Sequence, residues 1–191
     1  MEISFARKAW NTEKLTYAYS WRFEQTPEFE QLDDCIQSRE NPDSPQKFDN
    51  ITLLLKDPCG PGTRISTRCA FDHYGAPLIV LAANPETDSR GVLRYGDYLE
   101  IVLYEDGINV WRMWRREGKV SWKKLMSCVF PVSAMEAHTL TVEAGTEQLK
   151  IQADDRVMTL YIPDLYAQWY GGIVACEGVN RFYSFSAEEV L

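Results

Sequence analysis

Apolar and polar residues alternate at every second position in one stretch after another, and no stretch sustains the 3.6-residue period of an amphipathic helix. Alternation of this kind puts successive side chains on opposite faces of an extended strand, so the chain is patterned to pack sheets. The pattern is plainest at Leu15, Tyr17, Tyr19, Trp21 and Phe23, whose intervening residues are small or polar. It returns at 50–56, at 64–71 and, after Gly75-Ala76-Pro77, in the run Leu78-Ile79-Val80-Leu81-Ala82. The second half is more regular, with strand signals at 98–104, 108–115, 119–126, 139–143, 148–152, 157–162, 172–176 and 181–186. Ten or more short strands separated by Gly, Pro, Asp and Asn turns predict an all-β fold, an antiparallel two-sheet β-sandwich, in one domain over residues 1–191. The polar stretch 26–48, which holds Pro27, Pro42 and Pro45, reads as a long surface loop with a short helical turn near 28–35.

Charge narrows the partners. With 28 acidic against 20 basic residues the formal net charge is -8, a sign that repels phosphate backbones and anionic lipid. Neither nucleic acid nor a membrane is therefore the expected partner. Met1-Glu2-Ile3-Ser4 lacks the basic and apolar segments of a secretory leader, which points to a bacterial cytoplasm, with a trimmed secreted domain as the alternative. Cys35, Cys59, Cys69, Cys128 and Cys176 are odd in number and irregularly spaced, unlike a disulfide framework or a zinc site. His73 and His138 fall in no metal-binding pattern, and no cofactor is expected. A calcium site at Asp154-Asp155 or Glu105-Asp106 would need oxygen ligands from distant segments.

Two hairpins let side chains be assigned to faces. A two-residue turn at Asp106-Gly107 pairs Tyr104 with Asn109, Val102 with Trp111 and Glu100 with Met113. A second turn at Glu117-Gly118 pairs Arg115 with Val120, Met113 with Trp122 and Trp111 with Lys124. One face of the three strands then carries Leu99, Ile101, Leu103, Ile108, Val110 and Trp114, which suit a core, although Arg112 shares that face. The other carries Tyr98, Glu100, Tyr104, Asn109, Trp111, Arg115, Trp122 and Lys124, with Val102, Met113 and Val120.

The second face mixes aromatic rings with carboxylate, amide and guanidinium groups, and this combination suits a sugar. A pyranose stacks its C–H groups on an aromatic plane and presents rim hydroxyls to planar hydrogen-bonding partners. Trp111 and Trp122 are the expected stacking platforms. Glu100, Asn109 and Arg115 are the expected hydroxyl partners, and Tyr98 and Tyr104 flank them. The same rings would equally serve burial beneath the 26–48 loop, or beneath a protein partner or second copy. Catalysis has less support: no G-x-S-x-G, P-loop or G-x-G-x-x-G is present, and only Glu100 stands on this face where glycoside hydrolysis needs two carboxylates.

The order of elements resembles the concanavalin A-like jelly-roll superfamily of legume-type lectins, laminin G-like domains and carbohydrate-binding modules. The resemblance rests on four stretches. They are Arg68-Cys69-Ala70-Phe71 leading to Gly75-Ala76-Pro77-Leu78-Ile79-Val80, residues 98–114 with their hairpin, residues 140–151, and the closing run from Gly172 to Phe185 with its Gly-rich entry and aromatic exit. It implies a jelly-roll sandwich whose concave sheet holds any sugar. The Glu-x-Asp-x-(x)-Glu signature of the superfamily's laminarinase-type enzymes is missing, so the resemblance implies a non-catalytic, lectin-like, glycan-binding member.

Overall fold

The computed structural model describes the chain apart from residues 8–9, 24–27, 42, 44–48 and 191. The described residues form strands and no helix: β1 (Glu2–Ser4), β2 (Leu15–Ser20), β3 (Glu30–Gln31), β4 (Ile36–Gln37), β5 (Ile51–Leu55), β6 (Thr63–Ala83), β7 (Glu86–Thr87) and β8 (Leu93–Tyr95). They continue with β9 (Asp97–Tyr104), β10 (Gly107–Arg116), β11 (Lys119–Val129), β12 (His138–Ala144), β13 (Gln148–Ala153), β14 (Arg156–Tyr161) and β15 (Tyr170–Glu189).

Two strands run through both layers of the sandwich. The front layer has the order β11-β10-β9-β6-β15-β5-β2-β8-β7, and uses residues 76–83 of β6 and 170–176 of β15. The earlier half of β6 and the later half of β15 pair again in the back layer. There β12, β13 and β14 extend the β6 side, while β1 and β4 add to β15. Between the layers, Ile79, Leu81, Leu99, Ile101, Leu103, Ile108, Val110 and Ile173 meet Ile65, Phe71, Leu140, Val142, Ile151, Phe182 and Phe185. These side chains are almost wholly withdrawn from water, and at about 25 cal/mol per Å² their burial dominates the favourable side of folding.

The two-sheet, all-β expectation holds, with several corrections. Residues 64–71 and 78–82 belong to one strand, as do 172–176 and 181–186, because each long strand bends from one layer to the other without losing its pairing. Residues 28–35 form no helical turn. Phe29 packs edge-on against Phe182, and Ile36 pairs with Phe182, so β15 recruits this stretch into a small hairpin. The rest of the expected loop, with Pro27, Pro42 and Pro45, lies partly outside the described residues. The Leu15–Phe23 alternation stops as a strand at Ser20, whose Oγ accepts from the Arg22 amide and turns the chain. One pair, β2 with β8, is parallel.

The first hairpin differs in register by two residues. Tyr104 pairs with Gly107, Val102 with Asn109 and Glu100 with Trp111, so the turn residues are Glu105-Asp106. Neither has a positive φ, and Gly107 follows the turn at φ 126°. A Cβ there would lie 2.1 Å from the Cys128 carbonyl oxygen of β11, so glycine is required by a neighbouring backbone. A shift of two leaves every side chain on its expected face, because the period of a strand is two. The Glu117-Gly118 turn has the expected register, with both residues at positive φ (52° and 78°) as a tight primed turn needs. A bulge after Trp111 then offsets the rest of β11 by one residue.

These two glycines give a paired prediction. Gly118→Ala meets open space and should cost about 1 kcal/mol of backbone strain. Gly107→Ala must move β11 and should cost about 3 kcal/mol or more. Urea denaturation of both variants checks this; equal losses would contradict the close approach at Gly107.

Candidate functional site

The site lies on the outer face of the front layer, turned away from the main core. One end of this face is closed by a second apolar cluster of Leu54, Leu78, Val80, Ala82, Tyr95, Tyr98, Met113 and Val174. The other end opens as a groove of about 230 Å³ over β9, β10 and β11. Cross-strand pairing sets Glu100, Trp111 and Lys124 in one row across these strands, with Met113 and Trp122 paired in the next row toward the closed end. The Lys124 Nζ sits 4.8 Å from the centre of the Trp111 ring, and Arg22 covers Trp122 at 5.4 Å. Each indole thus carries a cation on one face.

Of the residues expected on this face, Glu100, Tyr104, Asn109, Trp111 and Trp122 line the groove together. Trp111 is half-buried, while Trp122 is 55% exposed. The described part of the 26–48 stretch does not cover them; it packs on β15. Two residues are corrected. Tyr98 is fully buried in the closing cluster, where its hydroxyl and that of Ser20 share a 2.8 Å hydrogen bond and its ring meets Tyr95 edge-on at 4.8 Å. Arg115 lies beyond the closed end, stacked 4.0 Å over Trp21 and 3.7 Å from the Glu86 carboxylate. Arg112, out of place on an apolar face by pattern alone, reaches the sandwich edge, donates to Asp164 at 2.7 Å and covers Tyr166.

Sequence reasoning missed Arg22, Cys176 and Glu177, which complete the groove walls with Ala76 and Leu78. Arg22 comes from the turn after β2, which three strands separate from β9 in the front layer. Glu177 sits at a bulge where β15 bends between layers, with Glu177 at φ 57° and Gly178 at φ 56°. A Cβ on Gly178 would lie 1.9 Å from the Tyr74 carbonyl oxygen. A Glu-Gly pair inside a strand pattern is a legible bulge signal, and it was the signal available here.

The polar groups on the groove floor lack partners. Asn109 Oδ1 is buried and accepts no hydrogen bond. Glu100 is only 6% exposed, and among the described residues its carboxyl forms neither an ion pair nor a hydrogen bond. Burial among Leu78, Val102, Trp111 and Met113 pushes its pKa up to about 7; Arg22 opposes the rise and Glu177 adds to it. Burial likewise raises the Cys176 thiol and the Tyr95 and Tyr98 hydroxyls. Among the described residues no group of three or more His, Cys, Asp or Glu side chains is placed to hold a metal ion.

A carboxyl raised from 4.5 to about 7 on folding makes stability depend on pH. Between those values the folded chain keeps a proton that the unfolded chain has lost. Stability therefore falls as pH rises through this window, by up to about 3 kcal/mol, and is flat above it. Glu100→Gln removes that contribution. The stability of the variant relative to the parent should rise by about 3 kcal/mol between pH 4 and pH 8, read from urea denaturation. A difference that stays constant with pH would mean that Glu100 is solvated.

Comparison with known proteins finds no matching family model and no matching curated sequence. Solved structures do match. The carbohydrate-binding module CBM66 from Bacillus subtilis aligns at a TM-score of 0.60 with 13% identity, over 81% of this chain and 86% of the module. β-Agarase A from Zobellia galactanivorans aligns at 0.65 with 9% identity, over 100% of this chain and 91% of the agarase. Rv0315, a pseudo β-1,3-glucanase of Mycobacterium tuberculosis, aligns at 0.58 with 11% identity, over 100% and 98% of the two chains. At such identities the likeness speaks to architecture alone: the fold is the concanavalin A-like jelly-roll sandwich that the sequence resembles.

Proposed function

We propose that this protein is a non-catalytic glycan-binding domain whose ligand lies in the outer groove of the front layer. The observation that carries this reading is the groove floor. Two polar groups without partners, Glu100 and Asn109 Oδ1, stand beside two indoles of which one is half-buried and one largely exposed. An unpartnered buried polar group costs about 1–3 kcal/mol. A ligand rich in hydroxyls supplies the missing partners while its C–H face packs on Trp111 or Trp122. Likeness in fold to a carbohydrate-binding module and to an agarase supports the same reading.

Isothermal titration calorimetry with a panel of neutral oligosaccharides, including a β-1,3-glucan hexasaccharide and agarohexaose, tests it. Trp111→Ala or Trp122→Ala should weaken binding about tenfold each, equivalent to about 1.4 kcal/mol per lost platform, and the double variant should bind no panel member measurably. Unchanged affinity in the double variant would remove the groove from consideration. The oligosaccharide should also be recovered intact from the cell. Shortened products would instead favour a glycoside hydrolase, a reading to which Glu177 lends support because it gives Glu100 a second carboxylate in the same groove.

A further inference from the structure

Resting on the glycan-binding reading, we propose that Glu100 must be ionised to hold the ligand, so that binding releases a proton to solvent and the groove takes neutral, hydroxyl-donating glycans more tightly at higher pH. The floor offers two unpartnered acceptors, the Glu100 carboxyl and Asn109 Oδ1. Asn109 Oδ1 accepts nothing, and Glu100 makes no bond to it although the two sit on adjacent strands, with Glu100 opposite Trp111 and Asn109 two residues before Trp111. A pair of sugar hydroxyls is a pair of donors, and a carboxylate accepts them through both oxygens more strongly than a protonated carboxyl does.

The surroundings of Glu100 act in both directions once a ligand is seated. The charged and titratable groups near Glu100 are Arg22 from the turn after β2, Glu177 and Cys176 from β15, Tyr95 from β8, Tyr98 from β9 itself and Lys124 in its row on β11. Burial raises the thiol and both phenols further above neutrality, so none of these three titrates between pH 6 and 8. A sugar covering the groove excludes water, which by itself disfavours the Glu100 carboxylate; the hydroxyl donors it supplies and the strengthened attraction of Arg22 offset that penalty. Glu177 acts against this, but from a bulge on the groove wall, not from the floor.

The test is calorimetry on the full chain with whichever of the β-1,3-glucan hexasaccharide and agarohexaose binds, at pH 6, 7 and 8, in phosphate and in Tris buffers of different ionisation enthalpy. If only the ionised form binds, affinity rises about tenfold from pH 6 to pH 8, because the competent fraction rises by that factor about a midpoint near 7. Buffer dependence should show close to one proton released at pH 6. Glu100→Gln, verified as folded by its urea transition, should bind more weakly and with no pH dependence. Binding that is independent of pH, proton uptake in place of release, or a pH dependence that persists in Glu100→Gln would each overturn the proposal while leaving glycan binding intact. Failure of both oligosaccharides to bind at every pH would overturn the proposal together with the reading it rests on.

Discussion

One antiparallel ladder, β6 against β15, holds the molecule together. It runs through both layers, so the front and back sheets are continuous pieces of the same two strands, and every other strand is added to one side or the other of this pair. The bend between the layers is made by bulges near Cys176, Gly178 and Phe182, where the register shifts. A ladder between such distant segments costs loop entropy, which the large shared core offsets. The bend also has a consequence for the surface. It projects Glu177 over the edge of the front layer and creates one wall of the groove.

The energetic anomaly of the fold lies on the floor of that groove. Sheets of this kind bury apolar side chains on their inner faces and leave the outer face wet. Here the outer face is sealed at one end by Tyr95, Tyr98 and Met113, and the carboxyl of Glu100 lies just beyond that seal, desolvated and unpaired. A leucine or glutamine in its place would be less costly to stability. Costs of this sort persist where a site needs a group poised to change its charge or its partners, and here they coincide with an orphaned amide oxygen and two accessible indoles.

The sequence carried the fold through its alternation, and most of the site through two hairpins. Glu100, Tyr104, Asn109, Trp111 and Trp122 were legible because facing depends only on whether a register is odd or even, and the two-residue shift at Glu105-Asp106 preserved it. Tyr98 and Arg115 share that face and are yet not in the groove. Alternation reports which side a residue takes, and not what else covers that side; the seal over Tyr98 comes from β2, β5 and β8, far away in sequence. Arg22 was illegible for the converse reason, and Glu177 was legible only as a bulge: each arrives from a distant turn or bend, and a local pattern has no means of joining them to β9.

Glu100 lies desolvated and without a hydrogen-bonding partner among the described residues, on the floor of an open groove. Following the Glu100 side-chain carboxyl carbon by nuclear magnetic resonance across pH 4 to 9, in protein free of ligand, measures this directly. The titration midpoint should lie near 7. A midpoint in the ordinary carboxylate range near 4.5 would contradict it.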